Sequence, residues 1–268
     1  MVSGVSFPPA NKRLGQNFLI DPNIVRKIVA TAELSPEDTV LEIGPGRGAL
    51  TEALSHAGGR VVALEIDPHL HRLLQERQVD WPNVEFVAAD ALTYPLETVS
   101  TGAIVVANLP YYISTPLLFR LLEHRNRFPR MVLMLQNEVA DRLVAKAGSA
   151  DYGVLSVMAQ YAADITKAFR VSAQCFRPRP EVDSAVVLLR TKKQTLPPQE
   201  ESTFARLVKA AFAHRRKTLV NSLRDEGYQP QVVMTALADT GITATARAET
   251  LTLGQFMQLA GRLDRRRP

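Results

Sequence analysis

Residues 39–54 have the sequence Thr-Val-Leu-Glu-Ile-Gly-Pro-Gly-Arg-Gly-Ala-Leu-Thr-Glu-Ala-Leu, and this stretch decides the fold class of the chain. Its apolar beginning predicts a short buried strand, and the pattern after the glycines is that of a helix. Gly44 and Gly46 permit positive φ angles and let a ligand approach the backbone closely. A strand, a glycine turn and a helix N-terminus together form a βα unit that binds a nucleotide-like ligand.

The glycine turn alone does not decide which ligand binds. The spacing Gly44-x-Gly46-x-x-Ala49 also fits a dinucleotide fingerprint, so NAD and S-adenosylmethionine are both candidates at this point. Three acidic residues favour S-adenosylmethionine. Glu42 would repel a pyrophosphate but could orient a cationic methionine end. Glu65 ends the next predicted strand and suits a ribose diol, and Asp90 follows the strand after that and suits the adenine amine. We expect these groups in one crevice at the carboxyl edge of a parallel sheet.

Strand and helix patterns alternate from about residue 39 to residue 145, as in a doubly wound parallel sheet. We therefore predict an α/β, Rossmann-like domain over residues 1–195, with residues 185–189 as its last strand. Prolines and charged residues predict a linker over residues 191–202, and the pattern from residue 204 onward is helical. Residues 203–268 are accordingly predicted to form a small all-helical domain.

Two Asp-Pro pairs mark expected helix starts. Asp21-Pro22 precedes a helical pattern, and Asp67-Pro68 has the same form after a predicted strand. An aspartate in this position accepts hydrogen bonds from the first free N–H groups of a helix. A proline at the first helical position has no N–H that would need a partner.

Residues 108–111, Asn-Leu-Pro-Tyr, follow an apolar run and carry groups suited to hold an exocyclic amine on a flat ring. The amide oxygen of Asn108 and the carbonyl of Leu109 can accept both hydrogens of such an amine, and Tyr111 can stack on the ring. Pro110 fixes φ and removes a donor, so the local backbone is stiff. The amine lone pair would be freed for attack on an electrophile without a strong base. Taken alone, the four residues also fit a strand followed by a proline turn.

The composition sets limits on the class of protein. The chain has 268 residues, of which 46% are hydrophobic, enough for one α/β domain and a smaller second domain. It contains no apolar run of about 18 residues and no secretory leader pattern, so we expect no membrane span. A single cysteine, Cys175, excludes an internal disulfide and fits a reducing, cytoplasmic location. The five histidines show no metal-binding pattern, so we expect no metal, and we expect a monomer.

Positive charge is concentrated near the C-terminus. The net charge is +5, and residues 203–268 contain 11 Lys and Arg against 5 Asp and Glu. This asymmetry suggests a polyanionic partner, most simply a nucleic acid. Arg215, Arg216 and Lys217 are the candidate phosphate contacts, which would position a nucleic acid without reading its sequence.

Taken together, the motifs resemble those of the ribosomal RNA adenine dimethyltransferase family over most of the chain. The matching blocks are residues 15–19, 42–51, 108–111, 136–142, 176–187 and 212–223. The last two blocks are the most specific, and they look like the bacterial small-subunit branch rather than the large-subunit antibiotic-resistance branch. The resemblance implies an enzyme that uses S-adenosylmethionine to place two methyl groups on each of two adjacent adenosines near the 3′ end of 16S ribosomal RNA, in the small ribosomal subunit.

The resemblance also implies roles for individual residues. The implied cofactor contacts are Asn17, Leu19, Gly44, Glu65, Asp90 and Asn108, and Gly46 belongs to the same glycine turn. Asn108, Leu109 and Tyr111 would hold the target adenine, with Pro110 stiffening the turn. Phe176 would be a second aromatic residue that faces the base from the other side.

Other functions remain open at this stage. A large-subunit RNA methyltransferase or a DNA adenine methyltransferase would share the cofactor site, although the basic C-terminal block and the lack of a large base-recognition domain argue against DNA. A ribosome-assembly factor that binds immature subunits, with methylation as the exit step, is compatible with the same motifs. An NAD oxidoreductase would need an acid for hydride transfer, and the sequence offers none near the glycine turn.

Overall fold

The computed structural model describes residues 8–214 and 216–264. The chain folds into two compact units, and the first comprises the residues up to Ala140 together with Ala163–Thr191. The second unit comprises Asp141–Ala162 and the residues from Lys192 onward. This division differs from the expected boundaries, because residues 141–162 pack with the C-terminal helices rather than with the sheet. Tyr161, for example, lies in the same apolar cluster as Phe204.

A seven-stranded sheet forms the centre of the first unit. The strands of this unit are β1 (Phe18–Leu19), β2 (Thr39–Ile43), β3 (Arg60–Glu65), β4 (Val84–Ala88), β5 (Ile104–Asn108), β6 (Arg130–Gln136), β7 (Ala163–Val171), β8 (Phe176–Arg177) and β9 (Ser184–Thr191). The order across the sheet is β4-β3-β2-β5-β6-β9-β7, and β1 pairs separately with β8. Only β9 runs against the other six strands, since it is antiparallel to both β6 and β7. The sheet is therefore mixed rather than purely parallel, and strand β7 was not predicted.

The first unit has four helices of its own within the described residues, and the first three begin where the sequence predicted them. They are α1 (Pro22–Ala32), α2 (Ala49–Ala57), α3 (Pro68–Glu76) and α4 (Ser114–Glu123), and α5 (Asn137–Val144) contains the boundary between the units. The Asp21 side chain accepts a hydrogen bond from the backbone N–H of Asn23, and Asp67 accepts from those of His69 and Leu70. Both Asp-Pro pairs are thus helix caps, as predicted.

The core of the first unit lies on both faces of the parallel part of the sheet. Val40, Val61, Ile104 and Val106 come from adjacent strands and are at most 2% exposed. Near-continuous apolar strands are typical of sheets that are covered on both faces. This rigid core holds the carboxyl ends of β2, β3, β4 and β5 side by side.

The second unit is helical. Its helices are α6 (Val154–Ala162), α7 (Pro198–Phe212), α8 (Leu219–Asp225), α9 (Pro230–Asp239) and α10 (Leu253–Asp264), which follow the end of α5. Residues 198–202 were expected to belong to a linker, but they form the first turn of α7. Pro198 at the helix start, followed by Glu200 and Glu201, favours a helix N-terminus. No helix in the described part of the chain is both long and apolar enough to span a membrane.

Candidate active site

A cavity opens at the carboxyl ends of the central strands. The predicted site residues that line it are Asn17, Gly44, Gly46, Glu65, Asp90, Asn108, Leu109, Pro110 and Tyr111. The structure therefore brings both predicted groups of residues together in one site. Leu19 is an exception, because it lines a smaller neighbouring cavity that also borders Gly44, Gly46 and Asn108.

Glu65 is held in place by backbone donors. The backbone N–H of Gly46 donates to Glu65 Oε2 at 3.1 Å, and the N–H of Asp67 donates to Oε1 at 2.9 Å. Burial raises the pKa of Glu65, while these N–H groups act in the opposite direction. Gly46 has a φ of +59°, which places its N–H toward the end of β3. Each carboxylate oxygen keeps a second lone pair for a ligand in the cavity.

The segment before β1 covers part of the cavity; two hydrogen bonds tie it to the rest of the site, and a third lies within the segment. Gln16 Nε2 donates to Asp67 Oδ2 at 2.9 Å, and Asn17 Nδ2 donates to the Gly15 carbonyl at 3.1 Å. Asn108 Nδ2 donates to the Asn17 carbonyl at 3.2 Å. A carbonyl oxygen can only accept, so this last bond fixes which end of the Asn108 amide faces Asn17. The Asn108 Oδ1 is left as an acceptor for a ligand.

Leu109 supplies a second acceptor. Its backbone N–H donates to the Met134 carbonyl at 2.9 Å, which fixes the peptide plane. Among the described residues, no hydrogen-bond donor reaches the Leu109 carbonyl oxygen. Pro110 follows with a φ of −57° and has no N–H to compete for that position. Asn108 and Leu109 therefore offer two adjacent acceptors at the cavity wall.

The Tyr111 side chain is held by a residue of β9, which lies two strands away from β5 in the sheet. Its hydroxyl lies 2.7 Å from the Ser184 Oγ, and Ser184 is buried at the start of β9. Burial raises the pKa of Tyr111, so the phenol stays neutral at physiological pH. Nothing in the local sequence pairs Tyr111 with Ser184, because the two residues meet only through the sheet order.

Phe176 does not take the position expected for a second aromatic residue facing the base. It is 1% exposed and packs in the core with Leu19, Val25 and Val186. The pairing of β1 with β8 places Phe176 directly beside Leu19. The structure therefore corrects the expectation, because the ring is enclosed by apolar side chains and does not line the cavity.

Glu42 also differs from its expected place near a cationic methionine end. It is 1% exposed, lines neither cavity, and accepts a hydrogen bond from Thr51 Oγ1 at 2.7 Å. Its Oε1 has no hydrogen-bond partner among the described residues. Burial raises the pKa of Glu42 to about 8, with a smaller contribution from the nearby Glu65 carboxylate. At neutral pH Glu42 is therefore mostly a neutral acid beneath the glycine turn.

Arg216 and Lys217, two of the predicted phosphate contacts, lie between α7 and α8 in the second unit. Arg215 lies outside the described residues, and Arg216 is exposed in the turn. Lys217 is also exposed, but its Nζ lies 2.5 Å from the Asp225 Oδ2. Arg224 reaches the other oxygen of Asp225 at 3.3 Å. Part of the positive charge in this region is thus already paired within the protein.

A comparison with models of protein families identifies the family of the chain. The family model for ribosomal RNA adenine dimethylases matches residues 9–265. The chain belongs to this family. Members are S-adenosylmethionine-dependent methyltransferases that act on ribosomal RNA, and the protein is therefore an enzyme of that class.

Two members of the adenine dimethylase family are similar to this chain over most of its length. A Moorella thermoacetica protein named ribosomal RNA small subunit methyltransferase A is 44% identical over 94% of this chain and 92% of its own length. A protein of the same name from Levilactobacillus brevis is 45% identical over 93% of this chain and 88% of its own length.

Two solved structures have a similar fold. A dimethyladenosine transferase from Plasmodium falciparum has a TM-score of 0.79 at 28% identity and covers 90% of this chain and 95% of its own. The 23S rRNA methyltransferase ErmE has a TM-score of 0.71 at 30% identity and covers 92% of this chain and 100% of its own. These likenesses extend over both units of the chain.

The cavity of this adenine dimethylase fits S-adenosylmethionine. The carboxylates of Glu65 and Asp90 can accept from ribose hydroxyls and an adenine amine, and Ile66 adds apolar surface to the cavity lining. A Cβ on Gly44 would lie 3.8 Å from the Asn108 backbone oxygen, in the space between the glycine turn and the Asn108 motif. That space is open because residue 44 is a glycine. No group of three or more His, Cys, Asp or Glu side chains is placed to hold a metal ion within residues 8–214 and 216–264.

Sequence reasoning missed some residues of the site. Gln16, Ile66 and Tyr112 all line the cavity and were not singled out. Gln16 stands inside the matching block 15–19, and Ile66 directly follows Glu65, so their positions beside predicted site residues were the available signal. Tyr112 directly follows the Asn-Leu-Pro-Tyr motif, but nothing in the sequence says toward which side its ring turns.

Proposed function

We propose that this protein transfers methyl groups from S-adenosylmethionine to the N6 atoms of two adjacent adenosines near the 3′ end of 16S ribosomal RNA, as a step of ribosome biogenesis. One observation carries the proposal. The Asn108 Oδ1 and the Leu109 carbonyl are left as paired acceptors beside Tyr111, in the cavity that also contains Glu65 and Asp90. An amine held there is presented to a cofactor held by the two carboxylates.

The cofactor roles follow from the contacts described above. Glu65 would accept from the ribose hydroxyls, and Asp90, whose Oδ1 already accepts from the Leu92 N–H at 2.9 Å, would accept from the adenine amine. The backbone of Gly44 and Gly46 would border the methionine portion, with Asn17 closing that side. Leu19 would support this wall from the smaller cavity.

The target adenine must leave its stack to reach this cavity, at a cost of a few kcal/mol. Stacking on an aromatic ring returns on the order of 1–3 kcal/mol per base. Tyr111 is the aromatic residue suited to this role, because its hydroxyl is fixed by Ser184 and its ring borders the cavity. Phe176 is not assigned a contact with the base, since it lies in the core.

Asn108 and Leu109 act on the N6 amine by position. When bound, S-adenosylmethionine supplies an electrophilic sulfonium methyl group, and each transfer forms one C–N bond, breaks one C–S bond and releases one proton. Each of the two acceptors accepts a hydrogen bond from one N6 hydrogen, and the nitrogen lone pair is thereby held toward the cavity. A monomethylated amine retains one hydrogen, which leaves one of the two acceptors to hold it for the second transfer. Positioning of this kind can supply a large part of the rate.

The small-subunit target is favoured by the names and similarity of the relatives. The proteins named for the small subunit are 44–45% identical to this chain, whereas ErmE, named for 23S rRNA, is 30% identical. We also propose that the protein acts on the small subunit in the cytoplasm. The exposed Arg216 and the paired Lys217 would contact phosphates, and we assign the same role to Arg215.

The proposal is tested by methyl transfer from labelled S-adenosylmethionine to small ribosomal subunits that lack adenine dimethylation, with large-subunit particles in parallel. We expect label as dimethyladenosine in the small-subunit RNA alone. Asn108→Ala should lower turnover by roughly a hundredfold, because it removes one of the two acceptors. Asn23→Ala, on the exposed face of α1, should leave turnover unchanged.

Each other result has a definite meaning. Label in the large-subunit RNA would move the enzyme to that branch of the family. Tight binding of small subunits without any label would favour an assembly factor. Near-normal turnover of Asn108→Ala would contradict the proposed way of holding the amine.

A further inference from the structure

Tyr112 lines the cavity, and the proposed function assigns it no role. It is 52% exposed and follows Tyr111 in a short 3₁₀ turn, Tyr111–Ile113. The ring therefore presents apolar surface at the rim of the cavity, where a bound ligand would cover it. The residues around Tyr112 indicate which ligand that is.

The two consecutive tyrosines face different sides of the site. The Tyr111 hydroxyl reaches Ser184 at the start of β9, which lies beyond β6 on one side of β5. Tyr112 instead lines the cavity together with Asp90 and Glu65, which lie at the ends of β4 and β3, on the opposite side of β5. Burial raises the pKa of Tyr112, and the charges of Asp90 and Glu65 add to this effect. Tyr112 therefore borders the carboxylates that suit the adenosine end of the cofactor.

The ring of Tyr112 also packs against the segment before β1. A Cβ on Gly15 would lie only 3.1 Å from the Tyr112 Cδ1, so the ring lies against bare backbone. Gly15 has a φ of +56°, a conformation that favours glycine. The segment itself is held by the bond from Gln16 to Asp67 and by the bond from Asn108 to the Asn17 carbonyl. Tyr112 and this segment thus form a continuous outer edge of the cavity.

We propose that Tyr112 is a cofactor-binding residue, which covers the adenosine end of S-adenosylmethionine and, together with the backbone of Gly15, retains it in the cavity. Tyr111 and Tyr112 then divide the site, the first serving the target base and the second the cofactor. The assignment of Tyr111 rests on the proposed function, whereas that of Tyr112 rests on the cofactor site alone. The role of each tyrosine can therefore be tested by a substitution that leaves the other tyrosine in place.

The experiment measures binding without RNA. Calorimetric titration of the full chain with S-adenosylmethionine and with S-adenosylhomocysteine gives Kd for wild type, Tyr112→Ala and Tyr112→Phe. We expect Tyr112→Ala to weaken both ligands on the order of tenfold, and Tyr112→Phe to weaken them less, because the ring is kept. The KM for RNA should stay unchanged. Tyr94→Ala is the matched control, since Tyr94 is partly exposed in the same unit but does not line the cavity.

A second variant tests the contact with Gly15. Gly15→Ala places a methyl group where the Tyr112 ring lies, and should also weaken cofactor binding. If both changes act through the same ring, the double variant Gly15→Ala/Tyr112→Ala will lose much less than the product of the two single losses.

The outcomes separate this inference from the proposed function. An unchanged Kd for both ligands in Tyr112→Ala would overturn the inference, as would an increase in the KM for RNA without any change in cofactor Kd. If wild type bound the cofactor but methylated no ribosomal RNA, the proposed function would fail while the Tyr112 result remained decisive. Fully additive losses in the double variant would overturn the contribution of Gly15.

Discussion

At the scale of single residues, Glu42 shows how burial changes the chemistry of a side chain. A carboxylic acid in an apolar environment loses its hydration, so the charged form becomes costly. Thr51 is its hydrogen-bond donor, and the second carboxyl oxygen has no partner in the described part of the chain. The pKa of Glu42 is therefore raised from 4.5 to about 8, and the folded protein holds a proton there at neutral pH.

This proton links the stability of the first unit to pH. An unfolded chain loses the Glu42 proton near pH 4.5, whereas the folded protein keeps it until about pH 8. The contribution is fully present below pH 4.5 and is lost as the pH rises toward 8, because the folded state binds more protons in that window. We expect wild type to lose about 1.4 kcal/mol of unfolding free energy per pH unit relative to Glu42→Gln between pH 5 and 8.

Urea unfolding at several pH values measures this difference. The fluorescence of Trp81, the single tryptophan of the chain, reports on the first unit, where the residue is buried. Glu42→Gln keeps the size and hydrogen-bonding capacity of the neutral acid but cannot ionise, so the variant isolates the titration of residue 42. Equal pH slopes for wild type and variant would show that Glu42 is not protonated in the folded state.

At the scale of secondary-structure elements, the glycine turn and strand β1 are fitted to each other. Gly46 has a φ of +59°, and a Cβ there would lie 3.1 Å from the Phe18 Cδ1 on β1. The guanidinium of Arg47 lies 4.3 Å from the centre of the same ring. The phenyl ring of Phe18 is thus placed between the turn and the cation, which holds β1 beside the cofactor site.

Gly46→Ala is expected to disturb this arrangement. The added methyl group combines an unfavourable φ with a clash against Phe18, so we predict a loss of about 2 kcal/mol of stability and a weaker cofactor affinity. Gly102→Ala is the control, since Gly102 has a φ of +93° but no atom within 4 Å of the added Cβ. That variant should show the backbone cost alone and normal cofactor binding. Equal cofactor Kd values for the two variants would contradict the role of the Phe18 contact.

Elements whose pattern is set by local chemistry could be predicted from the sequence. The buried strand before the glycine turn and both Asp-Pro caps follow from apolar runs and from donors that need partners. Strand β7 was missed, although its burial alternates along Ala163–Val171, because an edge strand carries many polar residues and resembles a loop. The antiparallel direction of β9 could not be predicted, since direction depends on long-range pairing rather than on local pattern.

The residues of the candidate site could likewise be predicted only in part. The end of each parallel strand could be located from sequence, so Glu65, Asp90 and Asn108 were correctly expected to converge. The direction of a side chain at such an end is decided by packing, which explains why Phe176 was expected at the base and lies in the core.

At the scale of the whole molecule, packing divides the chain differently from the way the sequence alone suggests. The composition placed the boundary near residue 195, yet residues 141–162 belong to the second unit. Their apolar residues, such as Val157 and Tyr161, pack against Phe204 of α7, a contact between segments far apart in sequence. Local patterns contain no signal for such a partner. The basic character of residues 203–268, in contrast, follows directly from composition.

Asp225 limits how much of the basic charge of residues 203–268 can reach RNA. Asp225 pairs with Lys217 at 2.5 Å and with Arg224 at 3.3 Å, and hydrogen bonding to Lys217 holds the pKa of Asp225 below its usual value. Asp225→Asn should release both cations toward phosphates, so we expect RNA to bind more tightly at low salt. The slope of log affinity against log salt should steepen by about one for each of the two cations that contacts a phosphate.

Titration of RNA binding over a range of salt concentrations measures both effects. Asp151→Asn makes the same change in net charge at another exposed residue of the second unit, and should leave the slope unaltered. Equal slopes for Asp225→Asn and wild type would show that the region around Lys217 does not contact phosphates. A change in net charge alone can raise the affinity for RNA, but only a new phosphate contact changes the salt slope. With an unchanged slope, the RNA interface would therefore lie on other basic residues.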